Sequence, residues 1–198
     1  MEIDRNKTYI IGDYTFTNYI CLPDNQIRQI LEWRNHEEVR RWMYNSDIIS
    51  YESHIKYIDS LRTRGDAYYW LGGYQGEPVG AVYLTNVCCE ADTAELGMYY
   101  RQDRINHSPF GIDYVHTLYD FVINQLHIGR IYGNIRKDNK NSLVLTLFMG
   151  ASVEREEEVN KIKYIHTLTT SDSFNQRTSQ QQSIKEFLKF VRQYLKNE

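Results

Sequence analysis

The side chains best suited to chemistry lie between residues 94 and 151. Ala94-Glu95-Leu96-Gly97-Met98-Tyr99-Tyr100 reads as a strand with a carboxylate and a glycine inside it. Glycine within a strand marks a bulge or a close backbone approach. The loop that follows, with Asn106, His107, Ser108, Pro109 and Gly111, enters a long helix. Backbone N–H groups at a helix start, with the helix dipole behind them, are suited to bind a phosphate. Arg130–Arg136 and Asp138-Asn139-Lys140-Asn141-Ser142-Leu143 come next, and Gly150-Ala151 closes the helix that Asn139 opens. Other chemical signatures are missing from the sequence. There is no Cys-x-x-Cys or His-x-x-x-His, and the six histidines are scattered, so no metal site is expected. Gly-x-Ser-x-Gly, Walker and dinucleotide fingerprints do not occur either.

Alternating and helical patterns supply the elements that must carry these residues. Thr8–Ile11 and Tyr14–Ile20 read as strands joined at Gly12-Asp13. Asp24 is placed to cap a helix with Ile27, Ile30 and Leu31 inward; Glu37–Tyr44 forms a second, and Ser50 caps a third through Ile55, Ile58 and Leu61. Strands Ala67–Tyr74 and Pro78–Val87 flank a turn at Gln75-Gly76-Glu77, and Thr93–Tyr100 follows. The clearest helix runs from about Phe110 to His127, with Ile112, Val115, Leu118, Tyr119, Val122, Ile123 and Leu126 on one face. After strand Arg130–Arg136 and helix Asn139–Met149, Ser152–Val159 and Ile162–Thr170 make a hairpin about Asn160-Lys161. A polar connector, Arg177–Gln182, leads to an amphipathic helix carrying Ile184, Phe187, Leu188, Val191, Tyr194 and Leu195. A helix between two strands favours a parallel pair. The pattern therefore predicts an α/β or α+β fold with a mixed sheet. No internal repeat occurs.

The chain has 198 residues, 41% of them hydrophobic and 25% charged, which suits one globular domain with an appendage. The net charge of −3 gives no electrostatic footprint for nucleic acid. Three cysteines, Cys21, Cys88 and Cys89, make a disulfide framework a poor reading, so a cytoplasmic setting is expected. The polar start lacks the apolar stretch of a signal peptide. The longest apolar run, around Leu143–Ala151, is far short of a membrane helix.

Five pieces in order resemble the GNAT superfamily of N-acetyltransferases. They are Trp33-Arg34-Asn35, Ala94-Glu95-Leu96-Gly97, Arg130-Ile131-Tyr132, Asn139 with Ser142 three later, and Gly150 eleven after Asn139. Together they span about residues 27–170. The front half, with Trp33-Arg34-Asn35-His36, Met43, Ile48 and Ser50-Tyr51-Glu52-Ser53-His54-Ile55, is most similar to acetyltransferases of the pseudaminic acid pathway, which act on a UDP-linked amino sugar. Ribosomal-protein N-acetyltransferases carry a similar Trp-Arg-Asn start.

The resemblance implies a mixed, mostly antiparallel sheet flanked by helices over residues 1–175; outside the resemblance, 176–198 reads as an added amphipathic helix that packs on the core or on the second subunit of a homodimer. It implies transfer of an acetyl group from acetyl-CoA to a small amine by direct attack on the thioester. An ammonium must first lose a proton. Glu95 is the expected base or water-holder; the same position suits a Glu paired with an Arg. The strand ending at Met98–Tyr100 would pair with the pantetheine arm, with N–H groups near Met98 polarising the thioester oxygen. Asn106, His107, Ser108, Phe110 and Gly111 would hold the pyrophosphate. Asn139 and Ser142 would lie near the pantetheine or phosphates, and Asn139 also suits an N-cap. Arg34, Asn35, Tyr44 and His54 would help to form the acceptor pocket.

Two positions depart from the family pattern. Counted back from Asn139, the family's glycine-rich loop falls on 106–111, where Gly111 alone fits and Pro109 offers no N–H. The tyrosine that many relatives place seven residues after the Asn, to protonate the leaving thiolate, is Thr146 here. These departures motivate two alternatives to the amino-sugar enzyme: a degenerate fold used for binding or assembly, and, from the shared Trp-Arg-Asn start, a ribosomal-type N-terminal acetyltransferase.

Overall fold

The computed structural model describes residues 3–101, 108–180 and 184–196. Asn106 and His107 lie outside them. The described strands form one eight-stranded sheet in the order β1-β2-β3-β4-β5-β6-β8-β7. In chain order these are β1 Tyr9–Ile11, β2 Tyr14–Asn18, β3 Tyr68–Tyr74, β4 Glu77–Cys88, β5 Thr93–Tyr100, β6 Arg130–Arg136, β7 Ser152–Val159 and β8 Ile162–Thr170. Every neighbouring pair is antiparallel except β5–β6. That exception follows from the crossover between them, helix α4 Ser108–Asp120 continued by one wider turn at Phe121–Gln125.

The two faces of the sheet bury different layers. On one, α4 lays Ile112, Val115, Leu118 and Tyr119 against Val82, Leu84, Ala94 and Ile131. On the other, α1 Asp24–Asn35, α2 Glu37–Arg40 and α3 Tyr51–Ser60 cover Leu71, Ala81 and Tyr99 with Ile27, Ile30, Trp33, Val39 and Ile58. Strand alternation divides β5 between them. Ala94, Leu96, Met98 and Tyr100 belong to the α4 side, and Tyr99 to the α1–α3 side. Glu95 and Gly97 share the side of Tyr99.

Local chemistry explains most ends, with some departures from the sequence pattern. Ser50 caps α3 by accepting from Ser53 N–H. Asp24 is the first residue of α1 and pairs with Arg28, while Pro23 holds the cap position. Tyr19–Cys21 leaves β2 as a short helical turn. After α5 Lys140–Phe148, Gly150 stops the chain at φ +96°, where a Cβ would come 2.7 Å from the Ser173 carbonyl oxygen. Helix α6 Ser171–Gln180 forms where the sequence offers little apolar pattern; Ser173 and Thr170 cap it reciprocally and Phe174 anchors it. It runs through the expected boundary at 175/176. Helix α7 Ile184–Lys196 packs Phe187 and Phe190 against Phe148 of α5. At the far edge, β7 carries Glu154, Glu156, Glu157 and Glu158 with Arg155, and Lys137 and Lys163 pair with Glu156. Among the described residues no helix is long and apolar enough to cross a membrane.

Candidate active site

The central feature of the sheet is a parting between β5 and β6. They pair at only three positions, Thr93↔Arg130, Ala94↔Ile131 and Glu95↔Tyr132. Beyond them β5 continues to Tyr100 along β4, and β6 continues to Arg136 along β8. An antiparallel strand turns only alternate backbone groups to its partner. The other N–H and C=O groups of residues 96–100 therefore face the widening gap. An extended ligand with amide groups can complete the ladder there. The gap opens at the C-terminal ends of both strands, the ends from which the chain proceeds to α4 and α5. Ser108 and Phe110 fall in the first turn of α4, with Gly111 following.

Glu95 stands at the apex of the parting, at the last paired position. It is half-buried and accepts a hydrogen bond from Asn86 Nδ2 at 3.0 Å. The register of β4 against β5 slips between Thr85 and Cys88, and Asn86 has φ +51°. This irregularity aims the Asn86 amide at the carboxylate. The alternative reading of this position, a Glu paired with an arginine, has no support in the hydrogen bond it makes: the partner is an amide. Two residues on, Gly97 lies directly opposite Tyr83 of β4. A Cβ at Gly97 would meet the Tyr83 ring and hydroxyl at 2.1–2.4 Å. The glycine thus marks the close approach of an aromatic ring, and the bulge lies in β4 instead.

Above Glu95 and Tyr83 lies the layer made by α1–α3. Arg34 donates to the Asn45 carbonyl at 2.7 Å, and its Nη1 is buried with no partner among the described residues. His54 is 7% exposed, and its Nε2 also lacks a partner. Burial first, then the Arg34 guanidinium, holds His54 below its ordinary value. Asn35 donates to the Ile49 carbonyl at 2.8 Å and accepts from Ile49 N–H at 2.9 Å, so it fixes the segment between α2 and α3. Tyr44 is 61% exposed. It stacks on Tyr164 and receives a hydrogen bond from Asn134 Nδ2 at 2.8 Å, toward β6 and β8.

The remaining sequence candidates have structural partners as well. Asn139 caps α5, accepting from Ser142 N–H at 3.3 Å. Thr146 is buried in α5 and hydrogen-bonded with Tyr119. Met98 and Tyr100 pack on the α4 side, with the Tyr100 hydroxyl directed to Met98 Sδ at 3.8 Å. A family model described as an acetyltransferase (GNAT) domain matches residues 22–151. The chain belongs to the GNAT acetyltransferase family. It is accordingly an acetyltransferase, and the mixed sheet is the family's fold. Among curated proteins, acetyltransferase PseH of Campylobacter jejuni is 22% identical over 128 residues, 65% of this chain and 78% of that protein. The crystal structure of PseH in complex with acetyl coenzyme A superposes with a TM-score of 0.63 at 14% identity, covering 80% of this chain and 99% of that one. Spermidine N-acetyltransferase from Vibrio cholerae, in complex with CoA and spermine, gives a TM-score of 0.74 at 13% identity, covering 83% and 99%.

Two side chains at this GNAT site, Tyr83 and Asn86, escaped the sequence pattern. Tyr83 reads as one more alternating tyrosine in a strand. Asn86 had no signal beyond a polar residue near the end of β4.

Proposed function

We propose that this protein transfers the acetyl group of acetyl-CoA to the primary amine of a small acceptor, a nucleotide-linked amino sugar. The observation that carries this reading is the parting of β5 from β6 with a carboxylate at its apex. The backbone groups of residues 96–100 that face the gap suit the amides of a pantetheine arm. Gly111, Ser108 and Phe110, with Asn106 and His107, are assigned to the pyrophosphate, and Asn139 and Ser142 to the arm or phosphates, at the ends where α4 and α5 begin. Acetyl-CoA supplies a thioester; the amine nitrogen bonds to its carbonyl carbon as the C–S bond breaks.

The chain's own groups do the rest. Glu95 takes a proton from the acceptor ammonium, directly or through a water, and the Asn86 amide holds the carboxylate in place. Arg34 brings an unpartnered donor, and His54 an unpartnered ring nitrogen, to the acceptor side of the same layer; the guanidinium suits an anionic group and the imidazole a hydroxyl. Asn35 and Tyr44 shape that side through the Ile49 and Asn134 contacts. The similarity to PseH supports the amino-sugar class.

Calorimetric titration with acetyl-CoA and with CoA is the first test. Binding in the micromolar range, about −8 kcal/mol, is expected; silence at millimolar donor would leave a fold used for binding or assembly. Acceptor screening then compares UDP-amino sugars, polyamines and N-terminal peptides. On the acceptor that turns over, Glu95→Gln should lower kcat by about 10²-fold and remove the acidic limb of the pH profile. Unchanged turnover across pH would refute the assignment of Glu95.

A further inference from the structure

The reaction described above releases a thiolate, and Thr146, at the family's position for the proton donor, is buried and already bonded with Tyr119. Three tyrosines near the parting are poorly placed to replace it. Tyr100 lies on the α4 side of the sheet. The Tyr99 hydroxyl shares a buried hydrogen bond with Tyr19 at 3.3 Å. Tyr132 flanks Glu95 but is 41% exposed to solvent.

Tyr83 differs from all three. From β4 its ring reaches over Gly97 of β5, two residues beyond Glu95, the last position paired with β6, and on the Glu95 side of the sheet. Its stacking on Tyr69, with centroids 5.0 Å apart and planes at 13°, fixes the ring from behind. Among the described residues the hydroxyl has a thioether, Met43 Sδ at 3.8 Å, as its acceptor, a weak partner that leaves the proton available to a stronger base. We propose that the Tyr83 hydroxyl protonates the departing CoA thiolate. This rests on the acetyl-transfer reading of the same site.

The acceptor ammonium sheds two protons. The first passes through Glu95 to solvent and frees the amine; the second passes to Glu95 as the C–N bond forms, and Tyr83 O–H gives one to sulfur. The phenolate then recovers a proton from Glu95, directly or through water. The groups facing Tyr83 are Arg34 from α1, Tyr57 from α3, Tyr69 from β3, and Glu95 and Tyr99 from β5. Burial pushes the phenol up to about 12, the Arg34 guanidinium opposes that rise, and the Glu95 carboxylate adds to it. A cation beside the ring is the feature that makes a transient phenolate tolerable.

The test uses the full-length protein with its confirmed acceptor. Tyr83→Phe should lower kcat by about 10²-fold with the KM for acetyl-CoA unchanged. Replacement of Tyr83 by 3-fluorotyrosine, a more acidic phenol of nearly the same shape, should keep turnover and move the basic limb of the kcat–pH profile to lower pH. A packing role would leave that limb in place. Tyr83→Phe at parental kcat, or the loss appearing in Tyr132→Phe instead, overturns the assignment while leaving acetyl transfer intact. A parent protein that acetylates no amine overturns the acetyl-transfer reading and this assignment with it.

Discussion

Gly97→Ala is the sharpest probe of the ring over the parting. The new methyl would land 2.1 Å from Tyr83 Cζ, 2.2 Å from Cε2 and 2.4 Å from the hydroxyl oxygen, so the ring must move. These are the far end of a side chain, which can swing, but Tyr69 is stacked on the ring and Met43 lies at its hydroxyl. Overpacking typically costs about 1–3 kcal/mol; the swing puts this case near ~1 kcal/mol, or a Tm lowered by about 2–4 °C for a chain of this size. Activity should suffer more than stability, because the same displacement carries the Tyr83 hydroxyl away from the gap. Thermal denaturation and steady-state kinetics on four proteins, the parent, Gly97→Ala, Tyr83→Ala and the double variant, read both effects. With the ring gone, Gly97→Ala should cost almost nothing, giving a coupling of about 1 kcal/mol between the sites. Additivity within about 0.5 kcal/mol, or a Gly97→Ala protein with parental kcat, would refute the contact as the reason for the glycine.

Two further expectations concern stability. Asn139→Ala removes the acceptor for Ser142 N–H at the start of α5; it should cost about 1 kcal/mol, seen as a lower Tm that Asn139→Ser largely restores. Because His54 is held below its ordinary value of 6.5 by burial and then by Arg34, the unfolded chain binds the proton first as pH falls. The contribution of the neutral His54 is thus complete above its unfolded value and is lost progressively below it, down to the folded value. His54→Gln should therefore flatten the Tm–pH curve between about pH 5 and pH 7, leaving the slope due to His116, which burial shifts in the same direction. An unchanged slope would count against a neutral, buried His54.

The sequence made the sheet readable wherever period and turn chemistry agreed. Hairpins at Gln75-Gly76 and Asn160-Lys161 fall where positive φ values occur, and the helix between β5 and β6 announced their parallel pairing. The extent of that pairing was not readable. Nothing in the composition of residues 96–100 or 133–136 says that two strands which begin together will separate. Helix α6 escaped because its stabilisation is one buried ring, Phe174, and a reciprocal Thr170–Ser173 cap, neither of which makes a stripe. Glu95 was legible as a carboxylate inside a strand, and Asn139 as a cap. Tyr83 was not, because its meaning depends on a glycine fourteen residues away that only strand register brings opposite.

The outer border of the sheet also bears on how copies of this chain can meet. A strand with a free side invites a second copy to lie along it and continue the ladder. On β7 such a neighbour would bring a strand with four glutamates to one arginine against the same residues, and the excess of like charge, only partly offset by Lys137 and Lys163 on Glu156, opposes the pairing. At the opposite border β1 is only three residues long, too short to template much. Both borders of the sheet thus discourage extension by an added strand. That turns the search for any subunit contact toward the helical surfaces.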